Sequence, residues 1–151
     1  MAPRPGIVAA MPGRPIPPVF EFHVHGPAIS ARAKNRLLLR SWTERVTAAA
    51  QAAWPAGKSA IASDLDVYIS EFSEVATRDR DNMAKPVLDA MQKVVYENDR
   101  QVKRLHVEWC DIEGSYIVRF MSPIIAGALS VGKEFLWVRV FPHAQREDLV
   151  R

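Results

Sequence analysis

The stretch RDRDNMAKPVLDAMQKVVYENDRQV, residues 78–102, crowds Asp79, Asp81, Asn82, Lys85, Asp89 and Asp99 between apolar runs. Carboxylates this close repel one another, so the fold must either hold them on a wet surface or gather them round a cation. Pro86 adds a second constraint. It has no N–H to donate, so a helix carrying Val87, Leu88 and Met91 on one face is predicted over about residues 83–93, with Pro86 in its first turn and Asp81 and Asn82 as capping residues.

The flanking chain reads as strands and one more helix. Phe20, Phe22 and Val24 alternate with Glu21, His23 and His25, the period of a half-buried strand, which Gly26 and Pro27 close. Ser30 is the expected N-cap of a helix to about residue 53, with Leu38, Trp42, Val46, Ala49 and Ala53 on its apolar face. A second strand is expected near 64–72 and a short one at 94–96. A turn at 97–100 then leads into a third long strand at 102–110, with Leu105, Val107 and Trp109 on one face. Tyr116, Val118 and Phe120 suggest a further strand, and Leu136, Val138 and Val140 a last one. Residues 122–133 fit no template and read as loop, short helix or contact surface. The predicted class is α+β, a mixed β-sheet with two main helices packed on one face. Residues 1–17, rich in proline, are expected to form a flexible arm able to lie along a partner, 18–141 the folded domain and 142–151 a tail.

Charge is unevenly spread. The overall +3 divides into +6 over residues 1–63, −5 over 64–114 and +2 over 115–151. A basic front before an acidic middle suits a protein that attracts a polyanion and sets metal among carboxylates, although a solvated surface has the same composition. No apolar run is long enough for a membrane span, and no secretory signal is recognisable. The single cysteine, Cys110, excludes an internal disulfide and cannot build a zinc site alone, so a reducing, cytoplasmic setting is expected. No G-x-S-x-G elbow, phosphate-binding P-loop or G-x-G-x-x-G fingerprint occurs, which argues against serine-hydrolase and nucleotide-driven chemistry.

Asp79 and Asp81 flank one residue, so in an extended segment their side chains point the same way. Lys85, four residues after Asp81, reaches the same space one helical turn on. If a hairpin returns Asp99 to that end of the sheet, three carboxylates meet at a helix N-terminus, a hard oxygen set for Mg²⁺ or its substitute Mn²⁺. Such a site positions a phosphodiester and activates water, with Lys85 beside the scissile phosphate. A D-x-D alone is weak: Asp64 and Asp66 form another, read as solvent-facing charge at a strand start.

The pattern that begins at Asp79 is longer and ordered: DRDNMAK at 79–85, Asp89-Ala90, then NDRQV at 98–102. That composite resembles the signature of the RusA family of Holliday junction resolvases, over about residues 18–120 and most tightly over 79–102. Asn98 stands where the family has the first member of an acidic pair; the second is kept as Asp99. The resemblance implies a RusA-like fold, with Asp79, Asp81 and Asp99 as metal-binding catalytic carboxylates and Lys85 as the catalytic lysine. It implies a Mg²⁺-dependent, structure-selective endodeoxyribonuclease that acts as a homodimer, cutting two strands of a four-way junction symmetrically in DNA recombination and repair.

Within that reading Arg32, Lys34, Arg36 and Arg40 are candidate phosphate contacts, against a plain solvated helix face. Asn82 holds the turn, Gln101 faces a neighbouring loop, Tyr96 forms wall, Trp42 and Trp109 belong to the core, and His23, His25 and His106 are surface histidines. Asp89 is open between pairing with Lys85 and a place at the site. The alternatives are a RusA-like protein that grips branched DNA with weak catalysis or none, and a nuclease preferring flaps or forks.

Overall fold

The computed structural model describes residues 17–76, 79–118 and 121–144. Phe20–His25 forms β1, Arg36–Ala53 α1, Leu65–Ser73 β2, Arg80–Met91 α2, Val102–Asp111 β3, Pro123–Val131 α3 and Phe135–Pro142 β4. The strands make one mixed sheet in the order β1-β4-β2-β3, in which β4 runs antiparallel to β1 and β2 while β2 and β3 are parallel. The α+β class predicted from periodicity is the one observed. Nearly all of the predicted arm, and residues 145–151 of the predicted tail, lie outside the described residues.

Alternation decides which face of each strand is buried. Phe20, Phe22 and Val24 from β1, Val67 and Ile69 from β2, and Leu136, Val138 and Val140 from β4 turn to one side. They pack there against Trp42, Val46 and Ala50 of α1 and Met83, Val87 and Met91 of α2. The other face carries a smaller cluster, Phe72 and Phe135 under Ile125 and Ala128 of α3. This third helix starts at Ser122, whose Oγ accepts from Ile125 N, and stops at Gly132 in the left-handed conformation.

Several expectations shift. α1 begins six residues after Ser30, because Asn35 Oδ1 accepts from Leu37 N and Leu38 N while Ser30 caps only a local turn to Arg32 N. Leu38 is therefore 55% exposed and lies outside the core. Residues 94–96 are a turn with isolated bridges rather than a strand, so no hairpin forms; α2 instead makes the crossover between parallel β2 and β3. Tyr116 to 118 is not strand: the Tyr116 hydroxyl donates to Asp111 O and its ring packs on Phe72. Trp109 stays at the surface, donating to Ser73 Oγ.

Pro86 sits inside α2, beyond its first turn. A helix interior tolerates proline badly, because the carbonyl four residues back loses its donor. Here that carbonyl, Asn82 O, accepts from Ala31 N at 2.9 Å. The loop before α1 thus replaces the missing bond and ties the start of α1 to the start of α2. We expect Ala31→Pro to cost about 1 kcal/mol or more, by stripping the acceptor of this donor. Adding Pro86→Ala should restore a donor from within the helix. Urea titration of the two single variants and the double variant checks this non-additivity.

Candidate active site

β1 and β2 are parallel to each other through β4, and each launches a helix from its carboxyl end. The helices α1 and α2 run side by side in the same direction: Ala31 meets Asn82 at their starts, and Thr47 Oγ1 donates to Ala90 O near their ends. Both N-termini, with their unpaired N–H groups and partial positive charge, therefore face the same edge of the molecule.

The N-terminus of α2 carries the acids. Asp79 is the N-cap by backbone geometry, yet its side chain makes no capping bond to the helix; its Oδ2 accepts weakly from Asn82 Nδ2 at 3.4 Å. Asp81 stands in the first turn, and both carboxylates are exposed. Between them Arg80 turns inward to Glu71, a carboxylate only 2% exposed, with 3.6 Å between Arg80 Nη1 and Glu71 Oε2. Ser73 Oγ donates to Glu71 Oε1 at 2.9 Å, and Trp109 Nε1 donates to Ser73 Oγ. With Arg80 drawn inward, its two neighbours are left facing water. Sequence reasoning missed Glu71; its signal was parity, since it follows Val67 and Ile69 on the inward side of β2.

Lys85 lies one turn along α2 from Asp81 and pairs with Asp89 at 3.3 Å, both ends exposed. Asp99 opens a 3₁₀ turn, Asp99–Gln101, capped by Asn98. Gln101 locks that turn: its Oε1 accepts from Glu97 N and Asn98 N, and its Nε2 donates to Ile61 O and Ser63 O, the neighbouring loop expected of it. Tyr96 is buried beside it, its hydroxyl donating to Leu88 O at 2.7 Å. Burial, with the fields of Asp99 and then Asp89, pushes the Tyr96 phenol well above its usual range.

The acids thus form two groups with Lys85 between them. Asp79 and Asp81 follow the carboxyl end of β2, whereas Asp99 precedes Val102, which pairs with Leu65 at the opposite end of that strand. The parallel crossover, in place of the expected hairpin, sets this spacing. Asp89 and Asp99 instead share the surroundings of Tyr96. Among the described residues no three His, Cys, Asp or Glu are grouped closely enough to hold a metal. Asp79 and Asp81 nonetheless suit Mg²⁺ or Mn²⁺ in donor type, being exposed hard oxygens not spent on the helix backbone, and magnesium commonly takes one or two carboxylates with water and phosphate completing its shell.

The basic residues flank the acids. Arg32 and Lys34 lie in the loop that Ala31 fastens to Asn82, and Arg36 and Arg40 open α1; all four are exposed, with Arg36 Nη1 donating to Ala31 O at 3.1 Å. Asp66, expected at the surface, is 2% exposed on the opposite face of the sheet and accepts from Arg104 Nη1 at 3.2 Å and pairs with His143 Nδ1 at 2.7 Å. Only Asp66 of that D-x-D is drawn into the structure; Asp64 is exposed, as expected.

A search among curated proteins finds no match to this chain. The family model for the endodeoxyribonuclease RusA matches residues 27–119, a span that takes in the basic loop, α1, β2, the acid-bearing α2 and β3. With well over half of the chain covered, and the helix and turn of the composite motif inside the match, the chain belongs to the RusA family of endodeoxyribonucleases.

Proposed function

We propose that this chain is a Mg²⁺-dependent, structure-selective endodeoxyribonuclease that resolves four-way junctions as a homodimer, one copy for each of two symmetric cuts, in DNA recombination and repair. Two equal sites match the two-fold symmetry of the substrate. The observation that carries the reading is the joint between the helices: the Ala31–Asn82 bond couples a loop of exposed cations to the turn bearing Asp79 and Asp81. Arg32, Lys34, Arg36 and Arg40 bind backbone phosphates without reading sequence. Asp79 and Asp81 would hold the divalent ion, with Asp99 serving the same cleavage from the other end of α2. The bound ion would lower the pKa of an attacking water and stabilise the leaving oxygen. Lys85 leaves Asp89 to neutralise charge gathering on the phosphate oxygens.

Among the described residues no helix is long and apolar enough to cross a membrane. A cytoplasmic location accords with the DNA substrate and with Cys110, whose thiol burial pushes up to about 11, away from the reactive thiolate form.

The test is a synthetic four-way junction labelled on opposing strands. Paired, symmetric nicks in Mg²⁺ that vanish in EDTA, and a preference over three-way and flap DNA in competition, are expected. The separation of Asp99 from Asp79 and Asp81 favours one rival, a RusA-like protein that grips junctions without cutting. That rival binds equally well in EDTA and gains no thermal stability from Mn²⁺.

A further inference from the structure

The first turn of α1 exposes two adjacent leucines, Leu37 at 75% and Leu38 at 55%. They are firmly held, since Asn35 Oδ1 accepts from both of their backbone N–H groups at 3.1 and 3.2 Å. Cations flank them along the chain: Arg32, Lys34, Arg36 and Arg40 are exposed, and the first turn of the helix contains no acid. An exposed apolar pair flanked by positive charge does not match a neutral protein surface. It matches a surface that offers apolar faces bordered by phosphates.

Continuous duplex DNA hides its base faces by stacking, but a branch point interrupts the stack and exposes them between backbones. Apolar side chains wedge between base steps in proteins that kink DNA, while neighbouring cations hold the phosphates. Because Ala31 fastens this turn to Asn82, the leucines keep a set position relative to Asp79 and Asp81. We propose that Leu37 and Leu38 pack against unstacked bases at the branch point, so that the enzyme recognises the junction by its broken stack and brings the flanking phosphate to the acids. This role rests on the branched-DNA reading.

The experiment uses the full chain with a four-way junction carrying 2-aminopurine at the branch point, in Ca²⁺ for binding and Mg²⁺ for cutting. The parent should raise the fluorescence severalfold. Leu37→Ser with Leu38→Ser should bind the junction within about threefold of the parent with unchanged salt dependence, because the phosphate contacts remain. It should lose the fluorescence rise and cut about tenfold more slowly, having lost the wedge that stabilises unstacked bases. Leu38→Phe alone, apolar and larger, should keep the rise. An unaltered rise in the serine variant overturns the proposal and leaves the nuclease reading intact. So does an unaltered rise combined with a weakened dimer in sedimentation, or with lost binding to vesicles of anionic lipid; these would assign the leucines to self-association or to a membrane surface. A parent that neither binds nor cuts branched DNA overturns both readings.

Discussion

Asp81→Asn should leave the protein folded and slow junction cleavage about a thousandfold, roughly 4 kcal/mol of transition-state stabilisation. The substitution keeps the shape of the side chain and removes one charge. Asp81 is exposed in the first turn of α2, so the loss to stability is confined to its interaction with the helix dipole, about 0.5 kcal/mol. Binding should hold steady or tighten, because a negative charge near the phosphates is gone. Single-turnover cutting in Mg²⁺ and gel-shift titration in Ca²⁺ separate these effects. A variant that cuts at the parental rate removes Asp81 from the chemistry. Asp99→Asn is the informative companion, since Asp99 stands by Asp89 and Tyr96 at the far end of the helix from Asp81. An equal loss puts Asp99 in the chemistry despite its distance from Asp81. A small one leaves Asp79, Asp81 and Lys85 to act by themselves.

Asp66→Ala should do the reverse, unfolding the protein more easily without disarming it. The buried carboxylate meets Arg104, His143 and the Ala144 N–H, joining the ends of β2, β3 and β4. Removing it strands Arg104, 30% exposed, and His143, 36% exposed, beside an empty pocket, at a cost of about 3 kcal/mol after allowance for solvent around the partners. The urea midpoint should fall accordingly, while cleavage per folded molecule at low temperature stays within about twofold, since the residue lies across the sheet from α2. A loss of cutting in a fully folded Asp66→Ala protein would mean that this D-x-D also serves catalysis.

The two D-x-D pairs show where sequence stops being informative. Both look alike locally. Asp66 differs by partners 38 and 77 positions further along the chain, which no window reveals. Asp79 and Asp81 stand out only because Asn82, Lys85 and the 98–102 turn come after them at fixed offsets. The strands are legible because alternation is a local consequence of burying one face. Their order is not, since β4 enters between β1 and β2 by long-range pairing. The start of α1 is ambiguous in sequence because Ser30 and Asn35 are both capping types, and only packing chooses between them. Pro86 sits deeper in its helix than expected because its substitute donor, Ala31, comes from far upstream. The hairpin expected to carry Asp99 fails for a similar reason: β3 takes its place by pairing in parallel with β2, a choice made by the crossover and not by residues 94–100.

The central place of β4 bears on when the enzyme becomes whole during synthesis. Among the described residues β1 has no hydrogen-bonded neighbour except β4, which the ribosome makes roughly a hundred residues afterwards. At about 5–20 residues per second this is a delay of about 5–20 s. For that interval the acids and cations are already translated, but the layer beneath them is open. Until β4 is made, the strand that launches α1 has no hydrogen-bonded partner among the described residues, so the cation-bearing loop lacks its floor.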